Sequence, residues 1–263
     1  MPLNASAQCA SGMPHLSTVS GRGHKTDART RHAIEEGVAT LLRRYSLPSA
    51  APQFGALIDL VSSGPRAPTA VREPMRVLEV HLADSLVALE LPEVRNAGTI
   101  ADIGAGAGFP GLPLAIALPA SHVALVESNA RKCVFMERAI AAAGLRNARA
   151  INARAEEWAD GRRMHDLITA RAVGSLAVVA EYAAPLMCVG GALVAWRGQR
   201  DPQAERIAAR AAAELGLEPR DPVRVRPYPS ASHRHLHVML KVRETPERFP
   251  RRVGMAANRP LGG

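Results

Sequence analysis

A chain of 263 residues has room for one full domain of about 100 to 200 residues and an appendage, and its hydrophobic and charged fractions of 47% and 22% belong to a globular protein. Aromatic residues make up only 3%, so aliphatic side chains and alanine must fill the interior, while no stretch nears the roughly 18 apolar residues of a membrane span. A formal charge of +9 favours a polyanionic partner, nucleic acid first, although an arginine-rich surface can also serve solubility alone.

Residues 1–30 carry no apolar period and no continuous hydrophobic run of the kind an export signal needs, so they read as a disordered leader or as a start misassigned upstream of Met13. Ile34, Val38, Leu41, Leu42 and Tyr45 then recur at helical spacing and predict a helix over His32 to Tyr45. Phe54 to Val61 and Met75 to Leu89 predict two more, separated by the Gly/Pro break SSGPRAP at residues 62–68. Residues 31–97 are thus expected to form an N-terminal helical region.

From residue 98 to 263 short apolar runs alternate with helix-length segments. Strands are predicted at Thr99 to Ile103, His122 to Glu127, Ala148 to Ala153, Asp166 to Ala170 and Ala192 to Trp196, an alternation that implies an α/β fold with a parallel sheet under helices. Val223 to Arg226 and His235 to Val242 follow without a long helix between them and should close the sheet as an antiparallel pair. Cys9, Cys133 and Cys188 are too widely spaced for a zinc site or a disulfide framework and suit a reducing cytosol.

The chemistry concentrates after the first strand. Asp102, Gly104, Gly106 and Gly108 form a D-x-G-x-G-x-G turn between a strand and a helix, where backbone N–H groups meet a nucleotide-like ligand at the carboxyl edge of the sheet. Dinucleotide enzymes show G-x-G-x-x-G instead, so the expected cofactor lacks a diphosphate. Glu127 closes the next strand about 20 residues later, the position from which a carboxylate accepts from both hydroxyls of an adenosine ribose; the bland alternatives are a ligand-free tight turn and a solvated strand end. Pro110 and Pro113 fit the first turn of the following helix. Ala155 and Glu156 follow the third strand, where a loop lies against the adenine edge, unless Glu156 is only a helix-capping acid.

Six runs together go beyond a generic fold: HLADSL (81–86), DIGAGAGFPGLPLAIALP (102–119), ARKCVFMERA (130–139), NARAEEW (152–158), TARAVGSLAVVAEYAAPLMCVGGALVAWRGQR (169–200) and FPRRVGMAANRPLG (249–262). They closely resemble the ribosomal RNA small subunit methyltransferase G family over residues 75–262. The resemblance implies a class I S-adenosylmethionine-dependent methyltransferase fold, Rossmann-like, with a mostly parallel seven-stranded sheet and an antiparallel last strand. It implies transfer of a methyl group from S-adenosyl-L-methionine to N7 of a guanine in the 530 loop of 16S rRNA, on the small ribosomal subunit, in the cytoplasm.

Carried over by motif, Asp102, Gly104, Gly106, Gly108 and Phe109 would hold the methionine and ribose side, Glu127 the ribose hydroxyls, and Ala155 and Glu156 the adenine. Arg171 matches the family's arginine beside the methyl-transfer pocket; its alternatives are a surface charge or a structural pairing with Asp166 or another strand-end acid. Arg197 stands where the family usually has lysine. The family's N-terminal W-N...N-L-T stretch appears here only as Ser62, Ser63 and Ala67-Pro68-Thr69.

Guanine N7 has a free lone pair, so no general base is expected, and Arg171 or Arg197 would hold a phosphate or the guanine O6 edge. His81 and Asp84 share a helical face that either meets the pocket or is merely solvated. His233, His235 and His237 alternate along a strand without a completing acid or cysteine, so no metal is assigned. Lys241, Arg243, Arg248, Arg251, Arg252 and Arg259 form either a phosphate-contacting surface or a tail that braces the sheet. A monomer is the default. The competing readings are a methyltransferase for a small molecule or another RNA site, and a non-catalytic RNA-binding or assembly protein on the same fold.

Overall fold

The computed structural model describes residues 28–64 and 66–263, which leaves residues 1–27 of the expected leader outside the described part. Helix α1 (Ala28–Tyr45) begins inside the span read as leader, and α2 (Ala51–Ser63) extends the second predicted helix at both ends. The third is not one regular helix. It runs as α3 (Pro74–Val77), a π-helical stretch (Leu78–Ala83), α4 (Asp84–Leu86) and a 3-10 turn (Val87–Glu90). Glu73 starts it by accepting from the N–H groups of Met75 and Arg76, with Pro74 at the first helical position, where its missing donor costs nothing.

After α5 (Pro92–Arg95) the strands and helices alternate as β1 (Thr99–Ile103), α6 (Gly111–Ala117), β2 (His122–Glu127), α7 (Ala130–Ala142), β3 (Ala148–Asn152), β4 (His165–Arg171), α8 (Leu176–Ala183), β5 (Met187–Arg197) and α9 (Pro202–Leu215). The chain ends with β6 (Leu217–Pro219), β7 (Val223–Arg224), β8 (His235–Lys241) and α10 (Met255–Asn258). The sheet order is β3-β2-β1-β4-β5-β8-β6, with β7 beside β8. β1 to β5 are parallel, and β8 runs antiparallel to β5, β6 and β7. The sheet has eight strands rather than seven because β6 and β7 share one edge of β8, β6 facing its carboxyl end and β7 its amino end. The break between them contains Pro222, which has no N–H to give to a ladder.

Each face of the sheet carries its own core. Ile100, Leu125, Leu167 and Val194 pack with α6, α7 and the N-terminal helices, including Leu42, Phe54 and Leu57. Ala101, Ile103, Ile168 and Leu193 pack with α8 and α9 on the other side. The alternation along β1 is the period of two that puts successive side chains on opposite faces. The helical region therefore shares one core with the sheet.

Two features of this topology position the site. The order reverses between β1 and β4, so a crevice opens at the carboxyl ends of these two strands, where open α/β sheets bind ligands. The register pairs Ile103 with Ala170 and Arg171 with Trp196, so Arg171 emerges beside the glycine turn and Arg197 one residue further along β5.

Candidate functional site

The glycine turn leaves β1 with Gly104, Gly106 and Gly108 all at positive φ, and it is tied back by the N–H of Ala105 donating to the carbonyl of Val126 (3.1 Å). At Gly106, φ +61, an added Cβ would meet no atom closer than 3.8 Å. Its left-handed backbone needs glycine, and the space beside it is left free for a ligand. The Glu127 carboxylate faces this turn from the end of β2, accepting from the N–H of Gly106 (3.1 Å) and of Asn129 (2.9 Å), with Lys132 Nζ at 3.5 Å. A free cradle opposite an almost fully buried carboxylate fits an adenosine-bearing cofactor without a diphosphate.

Asp102 lies differently from its neighbours in the motif. It is fully buried; Oδ2 accepts from the N–H of Gly111 (2.9 Å) and Oδ1 from the Thr169 hydroxyl (2.9 Å). Gly111 permits this close approach, since a Cβ there would stand 2.2 Å from Leu125 and 2.9 Å from the carboxylate. Burial pushes the Asp102 carboxyl up to about 7 despite both hydrogen bonds. Asp102 thus fastens α6 and β4 to the turn. Pro110 precedes α6, following a cis peptide bond, and only Pro113 lies within its first turn.

Arg171 is the centre of a second group. Its Nη1 donates to the carbonyl of Val80 (3.0 Å) and to Asp84 Oδ2 (3.0 Å), and its Nη2 donates to His81 Nδ1 (3.2 Å). Arginine only donates, so Nδ1 accepts and His81 carries its proton on Nε2, 3.0 Å from the Thr69 hydroxyl. Burial, reinforced by the Arg171 charge, lowers His81 to about 4, in keeping with a neutral ring. Phe109 stacks flat on His81, centroids 4.4 Å apart and 6° from parallel, and the Arg171 guanidinium stands 5.8 Å from the Phe109 centroid. The π-helical turn puts Val80, His81 and Asp84 in reach of one guanidinium, a local distortion frequent at functional sites. Asp166, the other partner considered, is at the opposite end of β4 and accepts from Gly98 and Thr99.

Asp84 has a second arginine, because Arg234 Nε donates to Oδ1 (3.1 Å), and the Trp196 indole donates to its carbonyl (2.7 Å). Arg171, Arg197 and Arg234 all line one cavity of about 420 Å³, with His81, Asp84 and Trp196. Two of the three guanidiniums, those of Arg171 and Arg234, pair with the Asp84 carboxylate. Burial lowers the pKa of Arg197, and its buried Nε has no hydrogen-bond partner. The cavity is built to take up an anion or an acceptor-rich edge.

The other candidates fall outside these two groups. Ala155 and Glu156 form a 3-10 turn after β3, half-buried, and Glu156 Oε1 accepts from the N–H of Gly254 at 3.4 Å near the C-terminus. His235 and His237 share a face of β8, His233 precedes it, and among the described residues no three ligand-type side chains cluster as a metal would require. Nor is any described helix long and apolar enough to cross a membrane. Three of the six C-terminal cations are spent internally: Lys241 Nζ donates to the carbonyls of Ala184 (2.6 Å) and Met187 (2.9 Å), Arg243 to that of Ala213, and Arg251 forms a two-armed bridge to buried Glu181. Arg248 stands 3.7 Å from exposed Glu214, and Arg252 and Arg259 are exposed without a side-chain partner among the described residues. For Lys241, Arg243 and Arg251, bracing is the reading these contacts describe. Residue reasoning passed over Arg234 and Trp196, and it named Thr69 only as a departure from the family pattern. Nothing local marks Arg234, which stands between two histidines in a loop.

Comparison with known proteins adds an independent line. The family model described as rRNA small subunit methyltransferase G matches residues 66–222. A protein of Rubrobacter xylanophilus named ribosomal RNA small subunit methyltransferase G is 41% identical over 198 residues, covering 73% of this chain and 76% of its own. One of the same name from Synechococcus elongatus is 38% identical over 222 residues, covering 82% and 91%. Among solved structures, the apo form of the S-adenosylmethionine-dependent methyltransferase SibL is similar with a TM-score of 0.52 over 82% of this chain and 78% of that one. At 17% identity that likeness speaks to fold alone.

Proposed function

The chain belongs to the rRNA small subunit methyltransferase G family, and from that membership we propose that it methylates N7 of a guanine in the 530 loop of 16S rRNA. The observation that carries the reading is the cavity lined by Arg171, Arg197 and Arg234, of which Arg171 and Arg234 pair with Asp84, next to the glycine turn. S-adenosyl-L-methionine, when bound, supplies an activated methyl group on a sulfonium.

Gly104, Gly106 and Gly108 open the cradle, Glu127 accepts from the ribose hydroxyls, and Ala155 and Glu156 border the adenine. Asp102 positions the turn without touching the ligand, and Phe109 acts through His81 by holding the ring that receives Arg171. The lone pair of guanine N7 needs no deprotonation, so the residues have to orient the base rather than move a proton. Arg171 is held in direction by three acceptors and presents the remaining donors of its fork, while Arg197 and Arg234 offer further donors to O6 or to a flanking phosphate. Trp196 offers a π face on which a purine that becomes cationic is favoured. The substrate implies the compartment where ribosomes are assembled, the bacterial cytoplasm.

The test is to incubate the protein with labelled S-adenosylmethionine and small subunits lacking the 530-loop modification, then map 7-methylguanosine by strand cleavage. One mark in that loop is expected. Label at another RNA position would discard the site and keep the methyltransferase, whereas cofactor binding without any label would favour a non-catalytic role.

A further inference from the structure

The molecule holds a second concentration of positive charge that the methyl-transfer cavity does not use. Helix α7 presents Arg131, Val134 and Arg138 at spacings of three and four residues, hence on one face. This face and the loop after α2, which carries Arg66, enclose a cavity of about 770 Å³ whose lining also includes Asn129 and Lys132 and, among the described residues, contains no carboxylate. Lys132 leans on Glu127, so the cavity adjoins the cofactor cradle. Arg66, Arg131 and Arg138 are exposed and, among the described residues, their guanidiniums have neither an ion-pair nor a hydrogen-bond partner. The contrast with Lys241 and Arg251 is chemical: those two are buried or half-buried in internal bonds, whereas these three arginines project their charge into water around a concave floor. Val134, 54% exposed between them, adds an apolar rim.

We propose that this basic hollow is a second RNA contact, in which Arg66, Arg131 and Arg138 bind backbone phosphates flanking the target nucleotide. The inference rests on the RNA-methyltransferase reading above. A long polyanion that enters the Arg171 cavity must leave the protein somewhere, and a lining with three solvated guanidiniums and no carboxylate is complementary to phosphate, which arginine takes up with two parallel donors. Such contacts fix the orientation of the RNA and carry no base information. They also release condensed counterions, so each one steepens the salt dependence of binding.

The experiment compares the full wild-type chain with an R66A/R131A/R138A variant and an R66K/R131K/R138K variant. Binding to unmethylated 16S rRNA and to unmethylated small subunits is followed from about 50 to 200 mM salt, with cofactor affinity and circular dichroism recorded separately. The alanine variant should keep cofactor affinity, bind both RNA probes about ten- to a hundredfold more weakly at low salt, and show a log–log salt slope shallower by about two to three. The lysine variant should retain most of the slope, because a point charge still neutralises a phosphate. If the triple alanine chain fails to fold, the three single variants should each take about 0.7 to 0.9 off the slope.

An unchanged slope in the alanine variants overturns the proposal, as does a wild-type chain that binds neither probe. Weaker binding to subunits with unaltered binding to naked RNA overturns it too, since the surface would then face a ribosomal protein. A wild-type chain that binds RNA and transfers no methyl group sinks the function proposed above, while the slopes still judge this surface.

Discussion

Asp102, next to last in β1, and Glu127, the last residue of β2, carry the same charge in water and do different work. Glu127 stays at the rim, where it meets donors from the turn and from α7. Asp102 is sealed behind the turn with a donor on each oxygen, and burial raises its carboxyl from 3.8 to about 7. A group whose pKa rises on folding binds its proton more tightly in the native state, so its contribution to stability is full below about 4 and is lost as pH climbs through about 7. Asp102→Asn can still accept from Gly111 and can donate to the Thr169 oxygen. Denaturant titrations should therefore show the wild type losing ground to Asp102→Asn between pH 4 and pH 7, with a constant gap above. Asp102→Ala, which strands two buried donors, should cost about 1–3 kcal/mol per unsatisfied group at any pH. A pH-independent difference between wild type and Asp102→Asn would refute the shifted carboxyl.

At the scale of elements, the π-helical stretch joins the helical region to the catalytic edge of the sheet. Through it, His81 and Asp84 reach Arg171 of β4, Asp84 also reaches Arg234, which lies just before β8, and the Asp84 carbonyl receives the indole of Trp196 from β5. Asp84 is 3% exposed and, among the described residues, is the one carboxylate lining the cavity of three arginines. Asp84→Ala should destabilise the fold by about 3 kcal/mol, the low end for breaking a buried pair because both arginines keep some solvent. It should lower methyl transfer at least tenfold while leaving cofactor affinity within about threefold, as the glycine cradle and Glu127 lie elsewhere. Calorimetric binding beside a turnover assay separates these outcomes. Equal losses in both would place Asp84 in cofactor binding instead.

At the scale of the molecule, three buried histidines share one electrostatic condition. His81, His165 and His237 are each lowered to about 4, burial being the largest cause in every case, and both ring nitrogens of His165 are without a hydrogen-bond partner in its pocket beside Trp158. A histidine whose pKa falls on folding contributes stability that is present above about 6.5 and is lost as pH drops through about 4. Near pH 5.5 unfolding should take up about one proton at each histidine and release one from Asp102, a net uptake of about two. The unfolding free energy should thus fall as pH is lowered from 6.5 towards 4, and His165→Phe should reduce that slope by about one proton. A slope unchanged by the substitution would show that His165 titrates normally in the fold.

Much of this was legible in one dimension, for physical reasons that stop at a definite place. β1 and β2 lie where their apolar runs predicted, because a strand buried between two helical layers must be apolar on both faces, and the glycine turn is local backbone chemistry that its own residues dictate. Covalent spacing likewise brings Glu127 opposite Gly106. Partnership across the fold has no such local signature. Whether Asp102 faced ligand or core depended on Gly111 and Thr169 closing on it. The pairing of Arg171 with Asp84 rather than Asp166 depended on which end of β4 each residue occupies. Arg234, Trp196 and Thr69 joined the site only because β8, β5 and the loop before α3 converge there. The free charge of Arg66, Arg131 and Arg138, against the consumed charge of Lys241 and Arg251, was decided by burial and by the nearness of acceptors, which depend on the packing of distant segments and not on residue type.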